Sequence, residues 1–180
     1  MRLLFLASLS LIFWIGCSSR SGNSTGNGSR VTLSEYNLVY ELPYPGNSVI
    51  APADNLTDRV AMCVVDTLND VSVLILNLPR VPQDSIEAEN TVRLISQQNI
   101  PGYTVTSTES IGECEYLDRH AWNYETVMVL KNGTDSIRVM FYGYLFDDLA
   151  LVVTTTVTDT IDREYLAPYV TGLKRSHEIR

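Results

Sequence analysis

The alternation and clustering of apolar positions along the chain predict mostly strands, with two helices among them. Tyr36 to Glu41 reads as a first strand. Leu42-Pro43-Tyr44-Pro45-Gly46 ends it, since prolines cannot donate to a ladder and a turn or loop is expected there. Arg59 to Asp66 and Val71 to Leu78 are apolar, β-rich runs, and Thr67-Leu68-Asn69-Asp70 between them predicts a hairpin. Pro79 and Pro82 stop the second run. Asp84 or Ser85 can cap a helix through Gln98, with Glu87 and Glu89 near its positive end. Ala88, Val92 and Ile95 give that helix one apolar stripe, and Asn99-Ile100-Pro101-Gly102 ends it.

The second half is almost all strand. Tyr103 to Ser110 alternates weakly, and Ala121 to Leu130 and Ser136 to Phe146 flank Lys131-Asn132-Gly133-Thr134. Asn-Gly between two β runs is a strong hairpin signal, and a two-residue loop there would pair Met128 with Ile137 and Tyr124 with Phe141. Asp147-Asp148 turns the chain into Leu149 to Val157. Ile137, Val139 and Phe141 fall on one face of these strands, and Tyr142, Tyr144, Leu151 and Val153 on the other. A sheet apolar on both faces needs cover on both. Leu166, Tyr169, Val170 and Leu173 repeat at helical spacing. Pro168 within that pattern predicts a helix starting close to it, with Lys174, Arg175 and His177 at its negative end. The expected fold is therefore α+β: an antiparallel sheet flanked by helices, an α-β-α sandwich, forming one domain over 31–180.

The start of the chain is of another kind. Met1-Arg2 supplies a positive charge, and Leu3 to Ile15 is an apolar run broken by Ser8 and Ser10. That suits a secretory signal over 1–16 and is too short to span a membrane. Gly16-Cys17 resembles the bacterial lipobox, where signal peptidase II cuts before a cysteine that receives a diacylglycerol. Trp14 stands where such sequences usually carry Leu. The resemblance implies an acylated Cys17, a lipid anchor in the cell envelope and a mature chain that starts there. Ser18 after Cys17, in place of an inner-membrane-retaining Asp, favours the outer membrane. Residues 17–30, rich in Ser, Gly and Asn, read as a flexible tether. Gly22-Asn23-Ser24-Thr25-Gly26 matches Gly-x-Ser-x-Gly, but that pattern needs a strand before it and a helix after it to be a nucleophile elbow.

Composition narrows the partners. With 13 Lys+Arg against 21 Asp+Glu the formal net charge is −8, unsuited to nucleic acid or an anionic membrane surface. An acyl chain, not charge, would hold this protein to lipid.

The element order resembles the PsbP-type fold: a strand leading into Leu42-Pro43 and Gly46, a hairpin, a helix, an antiparallel meander, and a closing helix near Leu173-Lys174-Arg175-Ser176. That family includes extrinsic photosystem proteins, a Ran-binding nuclear import factor and small bacterial lipoproteins. The tryptophan that usually follows the Leu-Pro-Gly segment is absent, with Tyr44 and Val49 nearby instead. The resemblance implies a PsbP-like sandwich and a non-catalytic binding or assembly module.

Candidate chemistry is sparse. Cys63 and Cys114 could pair in an oxidising compartment or remain thiols, and the sequence leaves both readings open. Glu113-Cys114-Glu115, Asp118 and His120 form a polar cluster with metal-ligand types but no paired-cysteine spacing, so a solvated connection is the plainer reading and no metal or cofactor is expected. A Cys114–His120 dyad would need a group to orient it. Asp147-Asp148 reads as a turn former. Asp66-Thr67-Leu68, Asp84-Ser85-Ile86, Asp135-Ser136-Ile137 and Asp159-Thr160-Ile161 resemble the O-glycosylation sequon of Bacteroidetes envelope proteins. That implies glycan on Thr67, Ser85, Ser136 and Thr160, although Asp-Ser and Asp-Thr are also ordinary turn and capping pairs. The chain has 10 tyrosines, a residue enriched at interfaces. The Leu42 to Val49 loop, with Tyr44, Pro45 and Val49, is the expected partner-binding segment. The functional expectation is a non-enzymatic envelope lipoprotein that binds another envelope protein as an assembly or accessory module. The alternative is a small-ligand or lipid-binding module with an apolar pocket between sheet and helix.

Overall fold

The computed structural model describes residues 24–27, 29–51, 59–96, 104–132, 135–157 and 163–178. Cys17 and Thr160 lie outside them. In chain order, β1 (Ser24–Asn27), β2 (Arg30–Leu33) and β3 (Leu38–Glu41) open the fold. After them come β4 (Ser48–Ile50), β5 (Val60–Asp66), β6 (Val71–Asn77) and helix α1 (Ser85–Ser96). Then follow β7 (Thr104–Tyr116), β8 (Arg119–Asn132), β9 (Asp135–Phe146), β10 (Leu149–Val157), helix α2 (Arg163–Thr171) and β11 (Leu173–Arg175). The strands make a seven-stranded antiparallel sheet, ordered β4-β5-β6-β10-β9-β8-β7, and a four-stranded sheet, ordered β1-β2-β3-β11.

The alternation read from β9 sorts its side chains as expected. Val139 and Phe141 join Leu74, Trp122 and Leu145 beneath Ala88 and Val92 of α1. On the other face, Met140, Leu151 and Val153 pack with Leu38 and Tyr40 of the small sheet and with Leu166 and Tyr169 of α2. This corrects the expected α-β-α sandwich. The fold is β-rich, and its second face is covered largely by a second sheet rather than by helix. The physical reason is area. A nine-residue α2 cannot shield seven strands, so β2, β3 and β11 add Val31, Leu33, Leu38, Tyr40 and Leu173 to the cover.

Three local corrections follow. Ser24–Asn27, in the expected tether, pairs with Arg30–Leu33, and a strand rather than a helix comes next, so the Ser24 pattern is no nucleophile elbow. The helix expected to start near Pro168 starts at Arg163 with Pro168 inside it. Proline forfeits its bond to the carbonyl four residues back, here that of Glu164 in the first turn, and its ring crowds that oxygen. Lys174 and Arg175, expected at a helix end, lie in β11, where Lys174 pairs with Glu41 and Arg175 donates to Asp147 at 3.2 Å.

The β8–β9 register is displaced by two residues from the expected one: Met128 faces Val139 and Tyr124 faces Gly143. A slip of two leaves every side chain on its own face, so hydrophobic alternation could not discriminate. Packing does. The Tyr124 hydroxyl donates to the Leu151 carbonyl at 3.1 Å, and a Cβ at Gly143 would come within 1.8 Å of that same oxygen. Only glycine fits opposite Tyr124.

Candidate functional site

One end of the fold gathers three segments around a buried carboxylate. Asp66 ends β5 and is 1% exposed. It accepts hydrogen bonds from the backbone N–H of Leu68 (3.0 Å) and Asn69 (3.1 Å), from Asn69 Nδ2 (3.0 Å) and from the Tyr169 hydroxyl (2.8 Å). Burial alone would raise its pKa. The hydrogen bonds from Asn69, Tyr169 and the turn backbone outweigh burial and hold the carboxyl below its ordinary range. The Tyr169 phenol is pushed up, by burial first and then by its bond to Asp66. Tyr40 donates to the Tyr169 carbonyl at 3.0 Å, and Tyr165 donates to the Asn69 carbonyl at 2.9 Å. Helix α2, the β5–β6 turn and β3 are thereby fastened together.

The Pro43–Asn47 loop is braced onto this base. Pro45 opens a short 3-10 turn, Ser48 Oγ donates to the Tyr44 carbonyl at 2.8 Å, and the Asn47 carbonyl accepts from Thr67 N and Thr67 Oγ1, both at 3.1 Å. The Tyr44 ring sits 5.9 Å from that of Tyr169, and Tyr165 sits 6.5 Å from it on the helix.

On this rigid base several large apolar side chains face solvent: Tyr44 at 43%, Leu68 at 72% and Tyr165 at 45% exposure. Pro45 is exposed beside them. Val49, 56% exposed, projects from edge strand β4 on the face opposite Ile50, around the corner from the tyrosines. The expected partner loop thus places Tyr44 and Pro45 on the patch and Val49 at its margin. Leu68 and Tyr165 were missed. A leucine in a four-residue polar turn has no second face to bury, and that signal could have found it. Asp70 and Glu164 are the exposed charges beside the patch among described side chains, and both are acidic.

The other candidates separate. Cys63 packs at the margin of the α1-side core and Cys114 against the opposite one, and no disulfide joins them. β5 and β7 are second and last in the strand order, about 24 Å apart at sheet spacing, far beyond disulfide reach. Cys63 and Cys114 are therefore not a disulfide pair. Burial pushes the Cys114 thiol up, against a lowering backbone hydrogen bond from Asn123. His120 faces the α1 side, edge-on to Trp122 with Nδ1 3.3 Å from Glu113 Oε1, so Cys114 and His120 point to opposite faces and form no dyad. Among the described residues no His, Cys, Asp and Glu group has metal-binding geometry. Asp147 holds Arg175 at 3.2 Å and Arg119 at 3.6 Å, a structural clamp. Of the glycosylation triplets, Thr67, Ser85 and Ser136 are exposed.

No family model matches the chain, and no curated protein matches it.

Proposed function

We propose that this chain is a lipid-anchored cell-envelope protein, held through Cys17, whose domain is a non-catalytic accessory module binding another envelope protein. The observation that carries the reading is the exposed cluster of Tyr44, Leu68 and Tyr165 on a hydrogen-bonded base. The apolar surface that Tyr44, Leu68 and Tyr165 leave to solvent is not used by the fold, and a braced aromatic and aliphatic patch is what a protein interface uses as anchor. The patch loop also lies at the other end of the small sheet from Ser24. The described chain enters at Ser24, which pairs with Leu33, whereas the patch loop leaves the small sheet beyond Glu41 at its other end. Four strand residues separate the two ends, about 13 Å. The glycan-bearing reading of Thr67, Ser85 and Ser136 stands beside this one, since each hydroxyl is on the surface. The proposal does not draw on the PsbP-type resemblance, whose helix-flanked layering this fold does not share.

The test is photo-crosslinking in intact cells from a reactive amino acid placed at Tyr44 or Leu68, with Ser176 at the far end as control. A discrete adduct with one envelope protein from both patch positions and none from Ser176 supports the reading. Equal yields from all three positions, or adducts with lipid alone, overturn it. Cys17→Ser should release the protein from the membrane fraction.

A further inference from the structure

At the opposite border of the large sheet lies β7, a 13-residue strand that pairs with β8 along its whole length. Among the described residues no strand lies on its outer side. The β7–β8 hairpin closes through Leu117 and Asp118, both left-handed at φ 52° and 57°, the signature of a tight two-residue turn. In such a turn the flanking residues, Tyr116 and Arg119, exchange backbone hydrogen bonds. Alternation back along the strand then points the N–H and C=O of Cys114, Gly112 and Ser110 toward β8. Those of Glu115, Glu113, Ile111 and Glu109 point outward. Long edges in natural sheets are blunted by charged side chains, proline, bulges, cover or brevity, and the only charges on β7 are carboxylates, which repel an acidic strand and leave a basic one free to pair. β7 has no proline or lysine, its register runs unbroken, and it is the second longest strand of the fold.

The outward-pointing residues share a second property. Their side chains fall on the α1 face, where Ile111 touches the core and three carboxylates flank it. Glu109 faces Arg93 at 3.7 Å and Glu113 faces His120 at 3.3 Å, with the Glu113 side chain still 68% exposed. Glu115 is exposed across from His120. No Lys or Arg occurs within β7.

We infer that β7 receives an extended segment of a protein partner as an additional strand, with Lys or Arg opposite Glu113 and Glu115 and an apolar residue opposite Ile111. Backbone bonds would supply the attachment, and same-face pairs the register. A second copy of this chain is the poorer occupant, because it brings the same three glutamates, no cation on the pairing strand and the same net charge of −8. β7 and β4 are the opposite edges of the seven-stranded sheet, about 29 Å apart. This surface is thus separate from the Tyr44 patch, and the inference does not rest on the proposal made for it.

The test uses the full chain in detergent and a fluorescent peptide, Lys-Thr-Lys-Thr-Val-Thr-Lys, whose alternate residues meet Glu115, Glu113, Ile111 and Glu109 in antiparallel addition. Anisotropy should show saturable binding. An N-methylated version of the peptide that cannot donate from the paired amides should bind at least tenfold more weakly. Ile111→Pro, which removes an outward N–H and leaves the β8 ladder intact, should weaken binding about tenfold, as should Glu113→Lys, which alters an exposed side chain and its contact to His120. Tyr44→Ala should leave binding unchanged. The inference is overturned if the peptide does not bind, or if the N-methylated peptide binds as tightly as its parent. It is also overturned if sedimentation shows a dimer of the chain that Ile111→Pro dissolves.

Discussion

Replacing Asp66 by Ala should be among the most damaging single changes at the patch end. The carboxylate accepts four hydrogen bonds at 2.8–3.1 Å, and their fates on its loss differ. The Leu68 and Asn69 donors sit in an accessible turn and can recover water, so together they cost about 1 kcal/mol net. The Tyr169 hydroxyl is buried, at 2% residue exposure, and would be stranded at a cost of about 2 kcal/mol. The sum, about 3 kcal/mol, corresponds to a fall in melting temperature of roughly 6–12 °C for a chain of this size. Tyr169→Phe removes one charge-assisted bond and should cost about 1.5 kcal/mol. Because Tyr169→Phe leaves no hydroxyl to strand, Asp66→Ala with Tyr169→Phe should cost less than Asp66→Ala alone, about 1.5 kcal/mol rather than 4.5, a coupling of about 3 kcal/mol. The assay is urea unfolding of the unacylated Cys17→Ser chain and its variants, followed by circular dichroism. Costs that add to within about 0.5 kcal/mol would refute the argument that this bond fastens α2 to the β5–β6 turn. The pH dependence has a definite sign. The folded carboxyl titrates below its ordinary value near 3.9, so the stability it confers is complete above about pH 4. It is lost as pH falls through the folded pKa, and the gap between the parent chain and Asp66→Ala should close on that side only.

Two further predictions concern the large sheet. Thr126 is buried at 0% exposure with no partner for its hydroxyl among the described residues, so Thr126→Val should raise stability by about 1 kcal/mol, and a decrease in the melting temperature would contradict that reading. Gly143→Ala should destabilise by more than about 3 kcal/mol, since its Cβ would fall 1.8 Å from the Leu151 carbonyl oxygen. A variant that melts with the parent would show that Tyr124 does not fix the β8–β9 register.

Where the sequence carried a periodic signal, the structure follows it closely. Leu149–Val157 forms a strand with the expected bounds. Asp84 caps α1 through a 2.8 Å bond from Glu87 N, and Ala88 and Val92 bury the expected stripe. What escaped was short or relational. Arg30–Leu33 and Leu173–Arg175 are too brief to show a period, yet they build the second sheet and so decide the layering. The β8–β9 register depends on Tyr124 lying across Gly143, a contact between positions that no local pattern links. At the candidate site the prolines around Tyr44 marked a loop. Its braces are not local either: Asp66 and Tyr169 lie 103 residues apart, and Tyr165 reaches Asn69 from 96 residues away.

Whether the Tyr44–Leu68–Tyr165 surface binds an envelope protein is decided by Leu68→Asp. Leu68 is 72% exposed, so the change should move stability by no more than about 0.5 kcal/mol while placing a charge on the proposed interface. The measurement is the amount of crosslinked partner recovered with the acylated protein from intact envelopes, parent against variant, at matched expression. At least a tenfold loss is expected, with unchanged melting and membrane attachment. Recovery equal to that of the parent would rule this surface out as the binding site.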